Sequence, residues 1–482
     1  MKLLGPTLLI LGAILNILAL FMLIPLAFSI AYNSANQLAF FSAATVTSIA
    51  GIIFLVIGKR SNIEFMQPRQ VFLITSCAWT GVSLFSALPF LLLATPLTFS
   101  DAIFEAVSGV TSSGSSVMSG LDYLSKDILL WRSILNWIGG VGIIGMAIAV
   151  LPFLRVGGMR LFKTESSEWS DKAMPRARSL MAMIIYCYIG LSLVCGLLYW
   201  LAGMDLFNAI NHAMTTVSTG GFSTSDSSFA QFDSILIHWI AIVFMLAGAF
   251  PFVLFVRLLI NRKFVFYRDT QVRGLMLVVL ITTAIITLLL VGQDMDIVNA
   301  LTLACFNLVA IITTTGYASG DYQAWGPVAL VVFFFCMFVG GCSGSTSGGI
   351  KVFRIQIFYG LVKEQVLTAI HPRAIISRRY NHRLISSEII ASSISYMFLM
   401  MGSMLMIALI LAFTGLDLVT SLSGAITAVM NVGPGMGDII GPAGNFSSLS
   451  STAKFALCAG MLLGRLEFLT ILVLFTPAFW RS

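Results

Sequence analysis

Charge is scarce in this sequence. Of its 482 residues only 10% are Asp, Glu, Lys or Arg, where soluble domains carry about a quarter. No long polar stretch is present that could form a water-facing domain. Histidine is equally sparse, with four residues, and cysteine offers no framework. The seven cysteines, at 77, 187, 195, 305, 336, 342 and 458, are odd in number and lie almost entirely inside apolar segments. They read as small core- or lipid-facing residues, without disulfide pairing or metal-ligand spacing. No Ser/His/Asp set, zinc spacing or paired-carboxylate site stands out. These absences exclude a soluble enzyme, a disordered scaffold and a membrane enzyme with a recognisable catalytic set. What is abundant is apolar: 58% of residues are hydrophobic, including 37 Phe and 23 Met, at a mean hydropathy of +0.97. The composition is that of a polytopic membrane protein.

Between Lys2 and Lys59 there is no charged residue. Residues 5–29 and 38–58 can each cross about 30 Å of hydrocarbon as a helix, and the polar link Asn33–Gln37 makes them a hairpin. The second span argues against a signal peptide, whose apolar core is shorter. Further apolar stretches lie near 70–95, 130–154, 179–203, 235–260, 272–292, 326–350, 388–413 and 452–479, so ten transmembrane helices are expected.

The scarce charges are sorted. With the N-terminus in the cytoplasm, 23 of the 27 Lys and Arg fall on the inner side, all but Lys126, Arg132, Lys454 and Arg465. The positive-inside rule then places both termini in the cytoplasm. It also explains a net charge of +7 without nucleic acid. The basic inner loops suit anionic lipid headgroups or an acidic partner. The outer connections hold twelve carboxylates: Asp101, Glu105, Asp122, Asp127, Asp205, Asp226, Asp233, Asp294, Asp296, Asp321, Asp417 and Asp438. Simple avoidance of outer positive charge accounts for this pattern, and so does a mouth that concentrates cations; charge alone leaves both open.

Four outer connections contain a short apolar segment, too short to span, that ends in hydroxyl residues and glycine. The first runs Asp101-Ala-Ile-Phe-Glu-Ala-Val-Ser-Gly-Val-Thr111-Ser112-Ser113-Gly114. The second runs Asn208-Ala-Ile-Asn-His-Ala-Met-Thr-Thr-Val-Ser218-Thr219-Gly220-Gly221, and the third Leu303-Ala-Cys-Phe-Asn-Leu-Val-Ala-Ile-Ile-Thr313-Thr314-Thr315-Gly316. The fourth, Leu422 to Asn431-Val432-Gly433-Pro-Gly435-Met436, is degenerate. Alignment on the apolar residue after the glycine selects Gly435, the preferred choice here; alignment on the run before it admits Gly433. A half-helix entering from outside aims its partly negative C-terminus at the bilayer centre, where it stabilises a cation. Extended backbone at that depth must line a protein cavity. Four such strands around one axis form rings of carbonyl oxygens that replace a cation's hydration shell.

Motifs such as Ser218-Thr-Gly-Gly-Phe222 and Thr313-Thr-Thr-Gly-Tyr317, between full spans, resemble the Trk/Ktr/HKT superfamily of potassium transporters. The loop Asn431-Val-Gly-Pro-Gly-Met-Gly437 and the N-terminal hairpin resemble its bacterial TrkH/TrkI branch. The resemblance covers the whole chain. It implies an all-α protein of pseudo-fourfold M1–loop–M2 repeats around one pore, with four re-entrant loops. The expected divisions are a hairpin at 1–60 and repeats at 70–155, 179–262, 272–360 and 385–482. It implies potassium uptake across the bacterial inner membrane, a homodimer, no cofactor in this chain, and a cytosolic nucleotide-binding regulator of the TrkA type. Glycine at 114, where sodium-preferring relatives carry Ser, supports K⁺.

The third M2 segment is interrupted by Gly340-Gly341-Cys-Ser343-Gly344-Ser345-Thr346-Ser347-Gly348-Gly349. Five glycines in ten residues cannot continue a rigid helix. A phosphate-cradling loop would need an adjacent Gly-Lys-Ser/Thr after a strand, and neither is present. In the resembled family the matching loop plugs the pore beneath the filter and moves on opening. Arg465, in the last span, is expected to work with it as a cationic barrier or by hydrogen-bonding its carbonyls. A charge at that depth costs about 3 kcal/mol or more unless it is paired or faces water. A pair with Glu467 is disfavoured, because residues two apart face different directions. His212 reads as structural rather than as a proton carrier, and His238 as interfacial. His371 and His382 sit in the basic inner loop 354–383, which with 155–178 is the expected docking surface of the regulator. Phe333–Phe335 read as packing. A gated channel is the expected mechanism; a symporter coupled to H⁺ or Na⁺ is the alternative.

Overall fold

This computed structural model describes residues 4–61, 67–149, 173–373, 379–380 and 383–481. The basic segment 155–172, residues 374–378 of the inner loop and His382 lie outside them. The described residues form helices joined by short turns, plus a hairpin of β1 (Arg379–Tyr380) and β2 (Arg383–Leu384).

Helices α1 (Leu4–Ala31) and α2 (Gln37–Gly58) form the expected apolar hairpin. They approach closely because small residues meet: a Cβ on Gly12 would stand 2.7 Å from the Gly51 carbonyl oxygen. In lipid such close packing holds helices together where no hydrophobic driving force remains. The hairpin packs chiefly through α1 against α3 (Pro68–Ser86) and α6 (Lys126–Ala149), with α4 (Leu88–Leu92) touching α2.

The remaining helices follow one scheme. Long α3, α7 (Ala173–Leu201), α11 (Thr270–Val291) and α15 (Ser387–Phe413) each precede a short helix: α5 (Phe99–Val110), α8 (Leu206–Val217), α12 (Ile297–Ile312) and α16 (Leu418–Met430). The short helices are started by side-chain caps. Thr98, Asp205, Asp296 and Asp417 accept backbone N–H groups of the first turn. Such caps are worth about 1 kcal/mol each.

The segments that return inward are α6, α9 (Ile235–Ala249) with α10 (Phe252–Asn261), α13 (Pro327–Cys336) with α14 (Val352–Ile370), and α17 (Ser451–Arg465) with α18 (Leu469–Leu472) and the terminal α19 (Pro477–Trp480). Among the described residues only α6 is unbroken; the expected spans 235–260 and 452–479 are each bent within the apolar run. Among the described residues seven helices are long and apolar enough to cross a membrane, and counting each of two bent pairs as one span brings the number to nine. The tenth stretch, 326–350, supplies a helix of only ten residues. The α9–α10 bend is 94° and falls at Pro251, which has no N–H for the helical ladder. The last segment bends by 106° after α17, where Glu467 and Phe468 take positive φ.

Candidate functional site

The short helices α5, α8, α12 and α16 end identically. The residue five positions on donates to the carbonyl that opens the last turn: Ser113 to Ser108 (2.9 Å), Gly220 to Thr215 (2.9 Å), Thr315 to Ala310 (2.8 Å) and Val432 to Thr427 (3.0 Å). The residue before it donates three positions back, from Ser112, Thr219, Thr314 and Asn431. This double closure requires a left-handed residue, and those four have φ between 50° and 56°. Glycine is the usual occupant, so four side-chain-bearing residues in that conformation mark a constrained site. Thr111, Ser218 and Thr313 occupy the preceding right-handed cap.

Two places after each left-handed residue stands a glycine with positive φ: Gly114 (85°), Gly221 (75°), Gly316 (79°) and Gly433 (113°). The fourth member is therefore Gly433 and not the preferred Gly435, whose φ is not positive and whose Cβ position faces the Ile440 and Ser423 side chains. The sequence alignment was misled by Pro434, which displaces the apolar residue after the glycine.

The four glycines close a ring. A Cβ on Gly114 would stand 2.6 Å from the carbonyl oxygen of Gly220; one on Gly221 would collide with Thr315 O, and one on Gly316 with Val432 O. A Cβ on Gly433 would stand 3.0 Å from Ser113 O. Each glycine thus abuts the carbonyl just before the glycine of the next loop, and the fourth returns to the first. Ser115 Oγ also donates to Gly433 O at 2.7 Å across the closing seam.

Beneath this ring lies the glycine-rich segment. Its neck is closed by Gly340 N to Ile350 O (2.9 Å) and Ile350 N to Phe338 O (3.1 Å), and the Gly341 carbonyl accepts from Val352 N. The break at Pro251 leaves two carbonyls of α9 free, and the segment takes them: Thr346 N donates to Gly248 O and Cys342 N to Ala249 O, while Gly344 O accepts from Phe252 N. Ser343 N reaches Gln271 Oε1 at 2.8 Å and Ser345 Oγ bonds back to Cys342 O. Its tip touches three of the four loop bases. Thr346 Oγ1 donates to Val217 O (3.1 Å) and Ser347 Oγ to Thr313 O (2.6 Å). Gly348 N donates to Thr314 Oγ1 (2.6 Å) and Gly349 N to Met430 O (2.9 Å).

Arg465 is buried at the end of α17, next to Gly464, where a Cβ would run into Val429 O at the foot of α16. Its Nε and Nη2 carry no hydrogen bond among the described residues, so the expected bonds from these atoms to the segment's carbonyls are not present. Glu467 is paired with Arg354 of α14 instead, as the directional argument against an Arg465–Glu467 pair required. Sequence reasoning missed the Arg354–Glu467 pair, and it missed a second buried pair, Arg132 Nε with Glu105 Oε1 at 2.7 Å. The signal for both was a charge inside an apolar run. Glu105 is wholly buried and so is not part of an acidic outer mouth. Asp205, Asp296 and Asp417 are helix caps, and Asp101 holds Lys454 at 2.6 Å. Helix capping thus accounts for part of the outer acidic bias.

The model of the TrkH family, described as cation transport proteins, matches residues 37–482. The chain belongs to the TrkH family. It is 44% identical over 479 residues to the Trk system potassium uptake protein TrkI of Halomonas elongata, covering 99% of this chain and 97% of that one. To Trk system potassium uptake protein TrkH of Escherichia coli it is 35% identical over 468 residues, 96% of each chain. The crystal structure of the potassium transporter TrkH from Vibrio parahaemolyticus superposes with a TM-score of 0.91 at 31% identity, covering 100% of both chains. Membership makes the chain a membrane-embedded cation transporter and not an enzyme, helical apart from the two-residue strands of the β1–β2 hairpin and with no cofactor of its own.

Proposed function

We propose that this TrkH-family chain takes up potassium through one gated, channel-like pore. The observation that carries the reading is the cyclic register, in which each loop's glycine meets the carbonyl before the glycine of the next loop. Carbonyls of Ser113, Gly220, Thr315 and Val432, flanked by those of neighbouring loop residues, would take the place of water around a dehydrated cation. Potassium as the cargo is supported by relatives named potassium uptake proteins at 44% and 35% identity and by glycine at position 114. The pore would be built from the four repeats 70–155, 179–262, 272–360 and 385–482, with the hairpin 1–60 beside them.

The segment Gly340–Gly349 is the gate in this reading. It bonds to the bases of three loops, so opening requires these bonds to be exchanged for water or other partners. Each bond exchanged for one to water costs only about 1 kcal/mol, which suits a segment that moves. Arg465 below the ring adds a cationic barrier to ion exit. A homodimer in the bacterial inner membrane, both termini cytoplasmic and docked to a TrkA-type nucleotide-binding regulator, completes the proposal. Lys363 and Arg373, exposed on the inner side, fit an acidic partner surface. No nucleic acid is involved.

The test is flux through the purified protein in liposomes. Passive K⁺ movement should persist without a proton or sodium gradient and reverse when the K⁺ gradient is reversed. Flux that stops when the H⁺ or Na⁺ gradient is removed would establish symport instead.

A further inference from the structure

Behind the ring the four loops share a second feature that their sequences disguise. The position nine places before the ring glycine holds Glu105, His212, Asn307 and Gly424, four residues with no chemistry in common. Glu105, His212 and Asn307 are wholly buried, and each reaches the strand that climbs away from its glycine. The Glu105 carboxylate accepts from Ser116 Oγ at 3.0 Å and from Val117 N at 3.0 Å. His212 Nε2 lies 3.1 Å from Ser223 Oγ, while its Nδ1 lies 2.9 Å from Asn208 O. Asn307 makes two bonds to Ser319, donating to Oγ at 2.8 Å and accepting from N at 3.1 Å. In the fourth loop Gly424 has no side chain, and the adjacent Ser423 does the same work. Its Oγ accepts from Met436 N at 2.9 Å and donates to Met436 O at 3.1 Å.

The bonded strand residue is two or three places after the glycine in all four loops. Each ring carbonyl is thus held between a helix end below and a hydrogen-bonded tether above. In the first loop the tether is itself braced. Arg132 pairs with Glu105, donates from Nη2 to Ser116 Oγ at 3.0 Å and from Nη1 to Ser223 O at 2.8 Å, and stacks 4.2 Å from the Phe222 ring centroid. One guanidinium therefore links the climbing strands of the first two loops.

We propose that Glu105, His212, Asn307 and Ser423 are positioning residues that tether the climbing strands and thereby set the ion preference of the ring. This rests on the reading of the ring as a filter. A carbonyl ring discriminates between ions through its size and the stiffness of its ligands. A strand fixed at both ends resists the contraction that a smaller, sodium-sized ion demands. A strand released at its upper end follows the ion inward and loses discrimination. A residue with a purely structural role would change thermal stability or total flux and leave the ratio between ions unmoved.

The experiment compares K⁺ and Na⁺ fluxes of full-length variants in liposomes, with Gly114→Ser run alongside. Asn307→Leu keeps the volume and removes both bonds to Ser319. It should lower the K⁺/Na⁺ flux ratio by about threefold or more. Asn307→Asp still accepts from Ser319 N but sets its second oxygen against Leu303 O, and should hold the ratio between those of wild type and Asn307→Leu. Ser423→Ala deletes one oxygen and should lower the ratio as well; it decides the matter alone if Asn307→Leu does not fold. A folded Asn307→Leu or Ser423→Ala with the wild-type ratio, while Gly114→Ser shifts it, overturns the tether and leaves the filter standing. Wild-type ratios in all of them, Gly114→Ser included, overturn the filter reading itself.

Discussion

Two glycines two residues apart separate a backbone requirement from a packing requirement. Gly433 has φ of 113° and faces Ser113 O and Gly316, so alanine there is strained and also crowds the ring. Gly435 lacks the positive φ, and its Cβ position meets Cδ1 and Cγ1 of Ile440, so alanine there displaces a buried side chain without straining the backbone. Gly433→Ala should abolish K⁺ flux in liposomes, and Gly435→Ala should retain a measurable part of it. The reverse order would restore Gly435 as the fourth ring member. Gly114→Ser tests the ring from the opposite side: its K⁺/Na⁺ flux ratio should fall below that of wild type. Residue types alone could not choose between 433 and 435, because a dihedral angle is set by the chain on both sides.

Among the described residues three of the four inward-returning segments break, and the break at Pro251 supplies two of the gate candidate's backbone partners. Pro251 ends α9 and frees Gly248 O and Ala249 O, which the segment Gly340–Gly349 then occupies. Deleting three or four residues from that segment should raise basal K⁺ flux in the absence of any regulator. A shortened protein that conducts no more than wild type argues against a gate. On the proposed reading of Arg465 as a cationic barrier, Arg465→Ala should likewise raise basal K⁺ flux in liposomes. The interruption at 340–349 was legible from five glycines in ten residues. The bends at 251 and 467 were not. Hydropathy continues smoothly across both, and it reports depth in the membrane without reporting direction. The helix caps carry a local signal, Asp or Thr ahead of an apolar run, which the overall sorting of charge conceals.

For the whole molecule, the ion pairs join segments distant in sequence. Arg132 pairs with Glu105 and reaches Ser223; Arg354 pairs with Glu467; Lys454 pairs with Asp101. Removing one partner of the fully buried pair leaves an uncompensated charge. Arg132→Leu should therefore destabilise the detergent-solubilised protein by about 3–5 kcal/mol. Asp101→Asn, at a less buried pair that leaves Lys454 Nζ its bond to Ser447 O, should cost less. Thermal unfolding followed by fluorescence-detected size exclusion compares the two, and equal losses would contradict the ranking.

The sequence by itself determined that the chain is embedded in a membrane, and it located the four short segments that carry the hydroxyl–glycine pattern. Hydrophobic runs, the sorting of Lys and Arg, and a repeated hydroxyl–glycine pattern are local or compositional, so they survive without coordinates. Only the tertiary structure decided the register of the fourth loop, the partner of Glu467, the bonds between the glycine-rich segment and the loop bases, and the tethers behind the ring. Those depend on which atoms meet across separations that run from 11 residues in the first tether to 318 at the closing seam of the ring. Such meetings follow from packing around a shared axis, and residue order alone does not specify them.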